Sequence, residues 1–275
     1  MSQHVPSPLP DEEKARRSGS FGQAAAHYER YRPGPPEEAV AWLLPSLVDT
    51  VVDLGAGTGA LSRLLTARAD RVIAVEPDER MRAVLLAEVP DVTVVEGRGE
   101  SIPRADHTAD AVVASSSWHW VDPVEGLREV ARVLKPGGTM GVLWSGPDPE
   151  SPFMVQARTL LGGVDTEEAG GTGAAQTVQA MNTATNPASY TLQIPEGLPF
   201  TEPEYAVFTW DMALNADDLI GLLGTLSWVI LMEPDGRHAL FELARRLLRE
   251  ALGIEGDITV DLAFRCDAYR AHRLD

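Results

Sequence analysis

Residues 50–59 read TVVDLGAGTG, and a helical pattern follows from Ala60 to Ala69. The segment from Thr50 to Leu54 is a short β-branched run, which is typical of a buried strand. Glycines behind such a strand let the backbone bend sharply and let a ligand approach the main chain, while the next helix offers unpaired N–H groups. The stretch therefore predicts a strand, a glycine turn and a helix, with a nucleotide-like ligand at the turn.

The alternation of strand and helix continues on both sides of this stretch. The patterns predict strands at 71–75, 92–95, 109–114, 139–144, 204–210 and 257–264, and helices at 21–31, 37–47, 79–88, 123–134, 216–226 and 237–252. Strands that alternate with helices of about ten residues imply right-handed crossovers between parallel strands. The sequence therefore predicts an α/β fold with a largely parallel sheet.

The composition excludes several classes of protein. The chain has 275 residues, of which 44% are hydrophobic, so it can bury a sizeable core and is not disordered throughout. Its net charge of -18 would repel a phosphate backbone, which argues against a nucleic-acid partner. No apolar run approaches the roughly 20 residues that span a bilayer, and residues 1–17 lack the apolar stretch of a secretory signal. We therefore expect a cytoplasmic protein without a membrane partner.

Cysteine and histidine limit the chemistry further. Cys266 is the single cysteine, which excludes an internal disulfide and any zinc site with paired thiolates. We expect it to be a small core residue. The six histidines show no short ligand spacing, so no protein-bound metal is expected.

The glycines alone leave the ligand open, because Gly55, Gly57 and Ala60 also satisfy the loose pattern of a dinucleotide site. Two acidic side chains favour a different ligand. Asp53, two residues before the first glycine, would repel a pyrophosphate and attract an ammonium group. Glu76 ends the second predicted strand, where its carboxylate can accept hydrogen bonds from both hydroxyls of a ribose. The pair fits a nucleoside that carries an amino acid better than it fits NAD.

With these motifs the chain resembles the class I S-adenosylmethionine-dependent methyltransferases, in particular their small-molecule, methyltransferase type 11-like branch. Residues 53–59 resemble the first motif of the family, and residues 75–77 (VEP) resemble its acidic ribose motif. Residues 134–138 (LKPGG) resemble the turn into its fifth strand. The resemblance is carried by three motifs in the family's order and spacing.

A fourth segment, residues 97–103 (GRGESIP), resembles the part of the family that flanks the adenine. Many relatives carry Asp where this chain has Arg98. The departure leaves main-chain groups near Gly99 and Glu100 as the candidate contacts to the adenine.

The resemblance implies a doubly wound, seven-stranded Rossmann-like sheet with a parallel core, an antiparallel edge strand and helices on both faces. It also implies S-adenosylmethionine as the cofactor and S-adenosylhomocysteine as the product, with a helical cover near the start of the chain. The candidate cofactor-binding residues are Tyr28, Arg32, Asp53, Gly55, Ala56, Gly57, Thr58, Gly59, Glu76, Pro77, Met81, Gly99, Glu100, Ser115 and Ser116.

Composition and motifs together predict how the chain is organised. A flexible arm at 1–18 precedes a single methyltransferase domain at 19–275. Within that domain we expect an N-terminal helical cover at 19–48, a cofactor-binding half at 49–146, a lid or insertion at 150–203, and a substrate-side half at 204–275. The lid rests on the run of small residues from 162 to 187, which is too poor in large apolar side chains to pack a core.

The residues after the fourth strand, 115–120 (SSSWHW), should face the transferred methyl group. They lack the two prolines that adenine-N6 DNA methyltransferases carry there, which disfavours a nucleic-acid base as acceptor. His119 is a candidate general base, with the alternative that it only packs and hydrogen-bonds beneath the cofactor. Trp118, His119 and Trp144 are candidate walls of the acceptor pocket and would suit a flat or apolar acceptor.

The sequence thus predicts methyl transfer to a small molecule by in-line displacement, achieved mainly by positioning. Three alternatives stay open: a non-methylating reaction such as cyclisation or decarboxylation, a non-catalytic cofactor-binding protein, and NAD-dependent oxidoreduction.

Overall fold

Seven strands form one mixed sheet in the computed structural model, which describes residues 20–162 and 190–275. The strands are β1 Val48–Leu54, β2 Ala69–Val75, β3 Thr93–Val95, β4 Ala109–Ser115, β5 Leu134–Pro147, β6 Glu204–Leu214 and β7 Val260–His272. Their order in the sheet is β3-β2-β1-β4-β5-β7-β6. The first five pair in parallel, which places the carboxyl ends of β1, β2 and β4 at one edge.

Strand β7 runs antiparallel to β5. The Gly137 N–H donates to the carbonyl of Arg273, whereas the Asp148 N–H donates to the carbonyl of Ala263, so residue numbers fall along β7 as they rise along β5. The predicted seven-stranded sheet with a parallel core and an antiparallel edge is therefore confirmed.

The helices are α1 Ala25–Tyr31, α2 Glu37–Leu43, α3 Ala60–Leu65, α4 Glu79–Glu88, α5 Pro123–Val133, α6 Pro152–Gly162, α7 Ala216–Leu223, α8 Ser227–Ile230 and α9 Pro234–Leu252. Short 3-10 turns occupy Phe21–Ala24 and Trp118–Trp120. Side chains fix where several helices begin: the Asp78 carboxylate accepts the Arg80 N–H at the start of α4, and Asp122 caps α5 in the same way.

Several predicted boundaries were wrong. The helix expected at 60–69 ends at Leu65, and the helix expected at 216–226 ends at Leu223, where Gly224 follows as its C-cap. Strand β7 continues eight residues beyond the predicted end at Phe264. The strand continues past the polar residue Asp267, whose carboxylate is buried and accepts the hydroxyl of Tyr205. Within this extension Cys266 is fully buried, and burial raises the pKa of its thiol to about 12.

The fifth strand also starts earlier than predicted. Residues 136–138 were expected to stop the preceding helix, but they lie inside β5, which begins at Leu134. The register of β4 against β5 shifts between Ala109 and Ala111, and Gly137 has a φ of +74°. The glycine accommodates this irregularity because it tolerates positive φ.

The chain divides into two compact units. We call residues 33–145, 190–208 and 266–275 the glycine-turn unit; its core packs the inner strands against α5. The described residues of the other, 20–32, 146–162 and 209–265, form the cavity unit, whose apolar clusters are smaller.

The predicted arm at 1–18 and residues 163–189 of the predicted lid lie outside the described residues. The division of residues 19–275 into functional parts stays a prediction. Within the described part of the chain, no helix combines the length and the apolar character that crossing a bilayer requires.

Candidate cofactor and acceptor site

The glycine turn is tied to both neighbouring strand ends. Gly55, Gly57 and Gly59 all have positive φ, at +68°, +57° and +98°. The Gly55 N–H donates to the carbonyl of Val75 at 2.8 Å, and the Ser117 hydroxyl donates to the carbonyl of Leu54 at 2.6 Å. A Cβ at Gly55 would lie 2.6 Å from the Ser117 Cβ, so only glycine fits there. A Cβ at Gly57 would meet no atom within 4 Å, which leaves space beside the main chain.

Glu76 follows β2, and its side chain contacts the glycine turn. Its Oε2 accepts the Gly57 N–H at 2.9 Å, and its Oε1 accepts the Asp78 N–H at 2.9 Å. The residue is 7% exposed, and burial raises the pKa of its carboxyl above the ordinary value, while the two backbone N–H groups oppose that shift. Each oxygen retains a lone pair for a further donor, as the predicted ribose contact requires.

Asp53 lies at the end of β1 and is 1% exposed. Its Oδ2 accepts the Ser62 hydroxyl at 2.6 Å, whereas its Oδ1 is buried without a hydrogen-bond partner among the described residues. Burial raises the pKa of Asp53 to about 7, against the opposing hydrogen bond from Ser62, and the nearby Glu76 carboxylate adds to the rise. A cationic donor that binds a buried carboxylate oxygen without a partner would form a strong, charge-assisted hydrogen bond.

The segment predicted to flank the adenine packs closely on the turn after β4. A Cβ at Gly99 would lie 2.5 Å from both methyl carbons of Val121, so the main chain approaches Val121 directly. The Glu100 Oε1 accepts the Asp122 N–H at 2.7 Å. Because the Glu100 side chain is used within the protein, the main chain remains the candidate contact in this segment.

Other predicted cofactor residues lie on the same unit. Ser115 ends β4, and Ser116 has a φ of +51°, with its N–H donating to the carbonyl of Leu143 at 2.7 Å. Met81 is buried in α4, and Pro77 is exposed beside Glu76. The structure therefore brings the ends of β1, β2 and β4 together as predicted, and the individual cofactor contacts stay predictions.

Aromatic rings surround His119. The Trp144 Nε1–H donates to the His119 Nδ1 at 3.3 Å, and the Tyr190 ring stacks on His119 with centroids 4.7 Å apart. Tyr190 also stacks on Trp144, with centroids 5.6 Å apart. An indole N–H can only donate, so a neutral His119 carries its proton on Nε2. This arrangement favours a positioning role, and the predicted role as a base stays a prediction.

Two predicted residues belong to the other unit. In the cavity unit, the Tyr28 ring contacts Phe21 edge to face, with centroids 5.7 Å apart, and Arg32 lines an apolar cavity. Their predicted contacts with the cofactor stay predictions. Trp118, a predicted pocket wall, is 5% exposed and packs in the core of the glycine-turn unit.

Two residues of the site, Ser62 and Tyr190, were missed, and Ser117 was predicted to face the methyl group without its contact with the glycine turn. Ser62 lies on α3, nine residues after the carboxylate that it contacts, and Tyr190 follows a long stretch of small residues. No sequence period marks either of them. The contact of Ser117 could have been found, because a close approach at Gly55 requires a small partner on the neighbouring strand end.

Within 20–162 and 190–275, no three His, Cys, Asp or Glu side chains are placed to hold a metal ion.

Comparison with known proteins identifies the class of protein. The family profile described as a methyltransferase domain matches residues 52–142. An uncharacterised methyltransferase of Mycobacterium tuberculosis is 35% identical over 229 residues, covering 83% of this chain and 85% of the relative. An uncharacterised methyltransferase of Schizosaccharomyces pombe is 28% identical over 260 residues, covering 93% and 97%.

A solved structure shares the fold. It is assigned as a type II methyltransferase from Anaeromyxobacter dehalogenans and aligns with a TM-score of 0.59 at 23% identity, covering 88% of this chain and 98% of that one. From its fold and the similarity to these relatives, the chain belongs to the class I S-adenosylmethionine-dependent methyltransferase family. It is a methyltransferase of that family, as the motifs of the sequence predicted.

Proposed function

We propose that this methyltransferase binds S-adenosylmethionine at the glycine turn and methylates a small-molecule acceptor. The observation that supports the proposal is the pair of buried acids there. Glu76 presents two oxygens with free lone pairs, and Asp53 presents a buried oxygen without a hydrogen-bond partner in the described part of the chain. These match the ribose hydroxyls and the ammonium group of the cofactor, and the space beside Gly57 admits a ligand to the main chain.

Asp53 has a further role in this proposal. In the free protein its raised pKa leaves the carboxyl partly protonated near neutrality. An ammonium group against Oδ1 would favour the ionised form, so the carboxyl would release its proton as the cofactor binds. The affinity for S-adenosylmethionine would then rise from pH 6 to pH 8.

When bound, S-adenosylmethionine supplies a methyl group already activated by its sulfonium. The chain's residues have to hold the acceptor atom in line with that methyl, and good positioning is worth on the order of 7 to 11 kcal/mol. The stack of Tyr190 on His119 and Trp144 offers a rigid aromatic surface for that purpose. With the His119 Nδ1 already accepting a hydrogen bond, we propose that no general base is required.

A small-molecule acceptor also agrees with the charge. The net charge of -18 would repel the backbone of a nucleic acid at long range.

The test follows the methyl group. The protein is incubated with S-adenosylmethionine labelled on the methyl carbon and with a fractionated small-molecule extract. We expect label in a small-molecule product, together with stoichiometric S-adenosylhomocysteine. Cofactor consumed without transfer of label would instead support a non-methylating reaction. Tight cofactor binding without consumption across all fractions would support a binding protein.

A further inference from the structure

The cavity unit contains a cavity of about 130 Å³ that is partly open to solvent and whose lining is almost entirely aliphatic. Its walls come from α6, α7, α9 and the start of β7, and all of these lie within the one unit. Among the described residues that line it, Arg32 is the only charged one, and the others carry apolar side chains. Apart from Arg32, the described walls offer a polar ligand no side-chain hydrogen bonds, so the group that enters the cavity has to be a hydrocarbon group.

The walls leave apolar surface that a ligand would cover. Leu219, Leu223, Leu247 and Leu252 line the cavity and are only partly buried. Covering such surface is worth roughly 25 cal/mol per Å². A well-packed interior would already have closed over these side chains, because cores approach the density of organic crystals.

Small residues keep the cavity open. Ala157 on α6 and Ala244 on α9 both line it, at positions where a leucine would place three further carbons in the same space. Neither position needs alanine for a turn, because both lie inside helices. The two alanines are therefore the residues that determine the volume available to a ligand.

The volume fixes the size of the occupant. An apolar protein cavity of about 150 Å³ stays dry and takes up benzene, a six-carbon molecule. We propose that this cavity is a binding site for a hydrocarbon group of five or six carbons, linear or branched. The binding of this hydrocarbon group does not depend on the proposed function.

The experiment measures the affinity of a homologous series, the n-alkanols from butanol to octanol, by calorimetry on the full chain saturated with S-adenosylhomocysteine. Each methylene buried in the cavity should improve the affinity about fourfold. The gain should stop once five or six carbons are bound, because the cavity is then full.

A variant and its control locate the site. Ala244→Leu should lower the affinity for hexanol at least tenfold and abolish the gain per carbon from butanol onward, because about three fewer carbons fit in the cavity. Ala251→Leu, at an exposed position on the same helix and outside the lining, should leave the series unchanged. Thermal unfolding of both variants checks that they fold, and if Ala244→Leu fails to fold, Ala157→Val takes its place.

The outcomes are separable. A series without chain-length dependence in the wild type, or one that is identical in Ala244→Leu, overturns the hydrocarbon site. Failure of the wild type to bind S-adenosylmethionine, measured in the same calorimeter without S-adenosylhomocysteine, overturns the proposed function alone. In that case the alkanol series, run without the nucleoside, still decides the hydrocarbon site.

Discussion

The glycine turn and the aliphatic cavity are built from opposite kinds of side chain. At the turn, two buried carboxylates and several backbone N–H groups are aimed at particular atoms, and a single glycine decides whether the strand ends can meet. In the cavity, interchangeable leucines surround a volume. The first kind of site selects a ligand by donors, acceptors and charge, and the second selects it by size. Changes of pH and charge should therefore affect only the first.

The largest expected effect concerns the buried charge of Asp53. Its pKa is raised to about 7 in the folded protein, so the folded state binds this proton more tightly than the unfolded state does. Its contribution to stability is therefore present at low pH and lost as the pH rises from about 4 to about 7. Relative to Asp53→Asn, the wild type should lose up to about 4 kcal/mol between pH 4 and pH 8.

Urea unfolding of both proteins at several pH values measures that difference. Comparing the two cancels the titration of groups that do not interact with Asp53, including the carboxyls of Asp78 and Glu129, whose pKa values are lowered mainly by arginine partners. A stability difference that does not vary with pH would show that the pKa of Asp53 in the folded protein has its ordinary value. Hexanol binding in the cavity should stay constant over the same range.

The second prediction tests the steric requirement at the turn. Gly55→Ala should destabilise the protein by about 3 kcal/mol, because it combines a positive φ with a Cβ 2.6 Å from the Ser117 Cβ. Gly137→Ala is the matched control: its φ is +74°, but a Cβ there meets nothing within 4 Å, so only about 1 kcal/mol should be lost. Chemical denaturation measures the free energy of unfolding of both variants. Equal losses would show that the close approach of Ser117 adds nothing to the cost at Gly55.

The third prediction concerns the ribose contact. Glu76→Ala should bind S-adenosylmethionine at least tenfold more weakly, because it removes both acceptor oxygens from the turn. Calorimetry measures the affinity. Glu79→Ala, an exposed acid at the start of α4, should bind like the wild type. Equal affinities of Glu76→Ala and the wild type would contradict the proposed cofactor site.

The smallest effect is expected at the aromatic stack. Trp144→Phe keeps a ring beside Tyr190 but removes the donor to the His119 Nδ1, at a cost of about 1 kcal/mol in stability. The nitrogen chemical shifts of the imidazole should move away from those of a ring protonated only on Nε2. Unchanged shifts would mean that the hydrogen bond does not set the tautomer. If His119 only positions the acceptor, methyl transfer should persist in His119→Gln.

The sequence predicts the glycine-turn unit well because its motifs are short and each lies at the end of a predicted strand. The order of strands and helices places the ends of β1, β2 and β4 at one edge. The proximity of Asp53, Gly55 and Glu76 therefore follows from the sequence alone. Ser62 could not, because its contact with Asp53 depends on how α3 packs. The full length of β7 was missed for a related reason: Asp267 is polar yet buried, and its partner lies on another strand.

The aliphatic cavity lies beyond such prediction for a different physical reason. Its lining leucines have the spacing of any amphipathic helix, and nothing in that spacing distinguishes a packed core from an unfilled one. Ala157 and Ala244 are ordinary helix-forming residues. Their significance depends on the distance between helices that are far apart in sequence.

The buried cysteine has a practical consequence. Because burial raises the pKa of the Cys266 thiol to about 12 and the chain contains no other cysteine, maleimide and iodoacetamide reagents should leave the native protein unmodified at neutral pH. Single cysteines introduced at exposed positions could then carry fluorophores or spin labels without interference. Distances between such probes would follow the protein through a catalytic cycle in solution.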